Sequence, residues 1–324
     1  MRRALAALAG GMLALAAPGS ALAQHPHAGA APYLALQQRD QKLLAAGWRL
    51  ATGNAPLCDR TVIAAGALFH DAATYPDPAD ARASLGLHGD VAVQAVAADS
   101  PAERGGLRPG VTLAGMNGAP LDANFPPTDP RWQRLNDIAA ALDAIMARDG
   151  AADLTWLEPD GTAVTRRITG VRACATRFEV AGIGLRAAAD GERVVFGDRF
   201  PGFAWPEEEF AAAVAHELAH NVLRHRHWLA LNGRTRSNIR LTEQEADRLT
   251  PWLMANAGYD PAAAVRFMRR WGPQHDGGLL RRRTHAGWDE RADVIAAELP
   301  LVRRLRAQGS LADWPRLFIR DTGE

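Results

Sequence analysis

The sequence is poor in several features that would have narrowed its function early. After residue 23 no stretch approaches the ~20 consecutive apolar residues of a membrane-spanning helix, so no integral membrane segment is expected in the mature chain. Charge of one sign is also missing: 37 Lys and Arg stand against 36 Asp and Glu. That balance gives no reason to expect nucleic acid or an anionic membrane as the main partner. There are only two cysteines, Cys58 and Cys174, and neither follows the opening segment closely enough to carry a lipid. No internal repeat is visible, and the many alanines read as compositional bias without functional signal.

The opening is itself informative. Arg2 and Arg3 precede a mostly apolar run from Ala4 to Ala17, and Ala21-Leu22-Ala23 is a small-x-small cleavage pattern. Together they read as an export signal cut after Ala23, with a short membrane anchor as the alternative. The expected mature chain is soluble and outside the cytoplasm, in the periplasm of a Gram-negative host. Its remaining 301 residues suffice for two domains. Residues 24–31 read as disordered, and Leu34 to Trp48 as an amphipathic helix.

The stretch that organises the rest is Phe210 to His225, where His216-Glu217-Leu218-Ala219-His220 sits in a helical pattern. Two imidazoles four residues apart share a helix face and can reach one zinc ion, taken as one per chain. Glu217 lies about 100° round the helix, placed to act as a general base rather than a ligand. Val214, Leu218 and Val222 form the opposite, buried side. On a continuous helix His225 falls about 140° from His220, and His227 lies about 10 Å along. Both read as surface groups or as supports behind the ligands.

A second acidic helix is expected over Leu241 to Leu249, where Glu243 and Asp247 share a face. One carboxylate can bind the metal and the other can orient a ligating histidine. Glu245 points away, and with Thr242 it forms a capping-box pattern that would start this helix.

These two motifs, His-Glu-x-x-His and then Glu243-Gln244-Glu245-Ala246-Asp247, resemble the M48 class of zinc metallopeptidases. The resemblance implies His216, His220 and Glu243 as zinc ligands, Glu217 as catalytic base and Asp247 as the supporting aspartate. It also implies roles near the oxyanion or substrate for His285 and Arg291, which keep the family's spacing although Ala286 replaces a proline. Asp190 to Gly197 resembles the strand ahead of the metal helix, offering an open edge for an extended substrate. Arg186-Ala187 stands where the family often has Asn-Ala.

Residues 83–171 differ in character, with short strands and glycine turns. Val91 to Val96, a strand ending at the Asn117-Gly118 turn, a helix over Arg134 to Arg148, and a hairpin across Pro159-Asp160-Gly161 are all expected. Ser100 to Gly110 resembles the Ser-Pro-Ala-x-x-Ala-Gly-Leu-x-x-Gly pattern of PDZ domains attached to exported proteases, with Gly105 replacing the alanine. The resemblance implies a groove for a chain terminus or extended peptide, with its carboxylate loop at Leu85, Gly86 and Leu87. A packing module with a blocked groove is the alternative.

The fold class expected is therefore α+β: a mainly helical zincin-type body with a small edge sheet, interrupted by a PDZ-like domain. The expected divisions are a signal peptide at 1–23, a linker and first helices at 24–82, the PDZ-like domain at 83–171, and the metallopeptidase domain at 172–324. Cys58 and Cys174 flank the insertion, which suggests a disulfide, with two buried thiols as the alternative. The function expected is a zinc endopeptidase acting on periplasmic or envelope polypeptides in quality control. The alternative is a non-catalytic peptide-binding or chaperone-like factor with a structural zinc.

Overall fold

The computed structural model describes residues 29–275 and 287–323. The signal-peptide reading and the His285 assignment therefore lie outside the described residues. Helix α1 (Ala31–Gly53) opens with a proline in its first turn and buries Leu43, Ala46, Gly47 and Leu50. After strand β1 (Thr61–Ala64) the chain enters the inserted unit. That unit comprises β2 (Ala67–Asp71), α2 (Pro78–Leu85), β3 (Val91–Val96), α3 (Pro101–Arg104), β4 (Thr112–Met116), β5 (Ala119–Pro120), α4 (Leu121–Asn124), α5 (Trp132–Asp149), β6 (Ala151–Leu157) and β7 (Ala163–Thr169).

The strands form an antiparallel sheet in the order β2-β3-β4-β6-β7, with β5 attached to β4. Val93, Leu113, Ile138, Leu154, Trp156 and Ile168 give it a core of its own. Asn117 and Gly118 both take positive φ in the β4–β5 turn, as an Asn-Gly pair does in a tight hairpin. Sheet pairing already begins at Ala67, where β2 meets Val96, upstream of the boundary at residue 83. Leu85, Gly86 and Leu87 close α2 and lead towards β3, Gly86 taking the left-handed cap and the Leu87 amide donating to the Arg82 carbonyl. Helix α5 packs against β1, β2 and β6.

On leaving the insertion, β8 (Val171–Cys174) pairs antiparallel with β1, so the entering and departing chains run side by side. The Cys58–Cys174 disulfide forms at this junction, with Cα atoms 5.6 Å apart. Helix α1 ties both parts together. Its buried Asp40 accepts from Gln94 Nε2 on β3 and from the Val180 amide of β9 (Arg177–Ala181), while Gln41 makes paired bonds with the Val96 backbone.

A three-stranded sheet follows in the order β10 (Ala187–Ala189), β11 (Arg193–Gly197), β9. Here the strand ahead of the metal helix is corrected: β11 is the middle strand, parallel to β9 and antiparallel to β10, and it offers no open edge. Its Val194 and Phe196 are fully buried, as a central position requires, and the edges fall to β9 and to β10, Ala187–Ala189. A parallel partner leaves no hairpin signal in sequence.

Among the described residues the remaining elements are helical: α6 (Glu207–Val222), α7 (His225–Asn232), α8 (Arg236–Asn256), α9 (Ala263–His275), α10 (Trp288–Ala307) and α11 (Trp314–Leu317). Glu207, Glu208 and Glu209 fill the first turn of α6, where the helix dipole favours acids. Helix α6 is buried nearly all round, against α1, α8 and α9, with Phe210, Val214 and Leu218 in the main core. Among the described residues no helix is long and apolar enough to cross a membrane.

Helix α8 corrects the capping-box reading. It starts two turns earlier than expected, where Thr235 accepts from the Asn238 amide. Thr242 and Glu245 consequently lie inside the helix, and the Thr242 hydroxyl donates to the Ile239 carbonyl. The molecule is α+β, a mostly helical body carrying two small sheets and interrupted by a larger one.

Candidate metal centre

Helices α6 and α8 pack side by side and bring their polar faces to one cleft of about 880 Å³. His216 and His220 are one turn apart on α6, and their Nε2 atoms approach to 3.3 Å. Glu243 of α8 completes a triangle, with Oε2 3.4 Å from His216 Nε2 and Oε1 3.6 Å from His220 Nε2. Three donors this close suit a small cation. A tetrahedral zinc with bonds of 2.0–2.1 Å would set its ligands about 3.3–3.4 Å apart. The donor set also fits chemically, since two imidazoles and a carboxylate make a three-ligand zinc site with one position left over.

Charged neighbours surround these three donors. Asp247 Oδ1 lies 3.1 Å from His216 Nδ1, on the ring edge opposite the cleft. Arg291 of α10 grips the same carboxylate in a fork, Nε to Oδ2 at 2.6 Å and Nη2 to Oδ1 at 2.8 Å. Its Nη2 is also 3.7 Å from Glu243 Oε2, so the guanidinium borders the metal triad and is engaged chiefly with Asp247. Burial alone would lower the His216 pKa, but Asp247 and Glu243 outweigh it and hold it at about 10. His220, with less support, is pushed down by burial to about 3 and stays neutral. Glu217 lines the cleft, and burial pushes its carboxyl up to about 7, in the range of a general base that works near neutrality.

His225 is the residue that sequence reasoning placed least well. Its ring is buried, with Nδ1 2.9 Å from His220 Nδ1 and Nε2 2.9 Å from Glu245 Oε2. The offset of about 140° from His220 holds only on one continuous helix. Instead α6 ends at Val222, and Arg224 takes the left-handed conformation at φ 56°, which swings His225 back towards His220. No glycine marks that break. Of the two placements left open, His225 is buried behind His220 and His227 is exposed on the surface.

Glu245 is likewise corrected from a helix-start residue to a fully buried support. Burial would raise its pKa, but His225, the Thr322 amide and Arg320 together hold it at about 2. The only advance signal was its spacing after His225, which carries meaning only once the two helices are known to touch.

The cleft has an apolar side built from Phe200, Leu229, Phe267, Met268, Trp271 and Trp288, and the β10 strand forms another of its walls. The chain matches no protein-family model, no curated protein and no solved structure, so the chemistry of this centre rests on its own residues.

Proposed function

We propose that this protein is a zinc-dependent endopeptidase of the M48 type, with a PDZ-like insertion, acting on polypeptides outside the cytoplasm. The observation that carries the reading is the convergence of His216 Nε2, His220 Nε2 and Glu243 at 3.3–3.6 Å from one another, beside Glu217. A purely structural site would need the three ligands and no acid next to them. When bound, zinc supplies a Lewis acid that polarises the scissile carbonyl and acidifies water.

The chain's own residues do the rest. Glu217 takes the proton of the attacking water and hands it to the leaving amine, a task suited to a carboxyl near pH 7. Asp247 sets a carboxylate oxygen 3.1 Å from His216 Nδ1, and Arg291 keeps Asp247 ionised within the core. Strand β10 has one side hydrogen-bonded to β11 and lines the cleft, which suits a substrate lying extended along it. The apolar wall excludes water and accommodates an apolar substrate side chain. The disulfide fits an oxidising compartment, in line with the signal-like opening.

The test combines metal analysis with hydrolysis of an unfolded protein substrate, with and without a chelator. About one zinc per chain and chelator-sensitive cleavage are expected. Zinc-supplemented protein that holds substantially less metal, or cleavage indifferent to the chelator, would defeat the proposal.

A further inference from the structure

The end of the chain runs behind the candidate metal centre. Beyond α11 it is pinned to α8, where Arg248 Nη1 donates to the Ile319 carbonyl and pairs with Asp321 Oδ2, both at 3.1 Å. Arg320 then turns inward. Its Nε donates to Glu245 Oε2 at 3.0 Å, and its Nη2 donates to the Thr322 hydroxyl at 2.9 Å and to the Leu223 carbonyl at 3.3 Å. The Thr322 amide and hydroxyl both donate to Glu245 Oε1, at 2.7 and 3.0 Å.

Hydrogen positions along the rest of the path follow from what each group can do. An ionised carboxylate only accepts, so the hydrogen between Glu245 and His225 sits on His225 Nε2. A neutral imidazole carries one N–H, which leaves His225 Nδ1 as an acceptor. The 2.9 Å contact between the two Nδ1 atoms is then filled by a hydrogen from His220. His220 is left with its lone pair on Nε2, the atom that faces His216 and Glu243. Without Arg320 and Thr322, Glu245 would lose its charge partner and most of its donors. A carboxylate freed of those bonds can turn away from His225, and the fixed His225 and His220 tautomers would be lost with that contact.

We infer that Arg320 and Thr322 are positioning residues for the metal centre, fixing the tautomer and orientation of His220 through Glu245 and His225. The inference rests on the reading of His220 as a metal ligand. It makes the segment beyond α11 a working part of the site, at 75 and 77 positions in sequence from the glutamate it holds.

The test uses the full mature chain with Arg320→Met, Arg320→Lys and Thr322→Val, and Arg316→Ala as a control on the exposed side of the same segment. Long-range proton–nitrogen NMR of the metal-free protein reads the His220 tautomer, and competition with a chromophoric chelator reads zinc affinity. The parent should show a single Nδ1–H tautomer at His220. Arg320→Met should give a mixture and weaken zinc binding roughly 10- to 100-fold, and Thr322→Val should do so less. Arg320→Lys should restore part of the loss, because it returns the charge without the fork. Arg316→Ala should match the parent. A single tautomer and parental zinc affinity in both Arg320→Met and Thr322→Val would overturn the inference, whatever happens to their melting temperatures. If the parent itself binds no zinc, the metal reading fails, while the tautomer measurement still decides this one. Should Arg320→Met not fold, Thr322→Val carries the decision alone.

Discussion

At the scale of single residues, the proposed function assigns metal holding and proton transfer to different side chains. Glu217→Gln removes the base and leaves the three converging donors in place, so zinc content should stay within twofold of the parent. Peptide hydrolysis should fall by roughly 10²- to 10⁴-fold; parental hydrolysis in the mutant would remove Glu217 from the chemistry. A second buried acid makes a prediction far from the cleft. Burial raises the Asp40 pKa from 3.8 to about 6, against the bonds from Gln94 and Val180 that favour its charge. Because the folded-state value lies above the unfolded one, the folded protein holds the extra proton between these pH values. Stability should therefore fall as pH rises from about 4 to 6, with the full cost of up to about 3 kcal/mol present above that window. Denaturant midpoints across the range should show this slope in the parent and a flatter one in Asp40→Asn.

At the scale of elements, close packing overrides intrinsic preference. Gly47 lies inside α1, where alanine is normally better by about 1 kcal/mol. Yet a Cβ there would sit 2.3 Å from Phe178 Cγ, at the root of the ring where the side chain cannot simply swing aside. Overpacking costs about 1–3 kcal/mol, so Gly47→Ala should be a net loss. A raised denaturant midpoint would contradict the close α1–β9 approach. The same distinction separates what could be read in the sequence from what could not. Strand β3, the β6–β7 hairpin and the start of α6 are marked locally, by a short apolar run, turn residues, and Pro206 with its acids. His216, His220, Glu243 and Asp247 are legible because helical spacing places each pair on one face and the resemblance to the M48 motifs joins the two pairs. His225 was not, because an arginine in the left-handed region breaks the helix where a glycine would have announced it. Glu245 was not, because Arg320 and Thr322 reach it from the far end of the chain. The central place of β11 depends on a parallel partner that no local pattern reveals.

At the scale of the whole molecule, the insertion hangs from the body by adjacent strands, β1 and β8, with the disulfide at their base. Closing a loop with 116 residues of sequence separation should stabilise the fold by roughly 2 to 5 kcal/mol. Thermal unfolding with and without a reductant tests this, and coincident transitions for fully reduced and oxidised protein would refute it. The bond should likewise keep both thiols from labelling in unfolded, unreduced protein. It also changes what a cut means. A protease that nicks any backbone bond between Cys58 and Cys174 separates the sequence into two pieces but not the molecule. The piece bearing α1 stays covalently fastened to the piece bearing the metal helices. Such a nicked chain would run as one band on a denaturing gel until reductant is added, and only then as two.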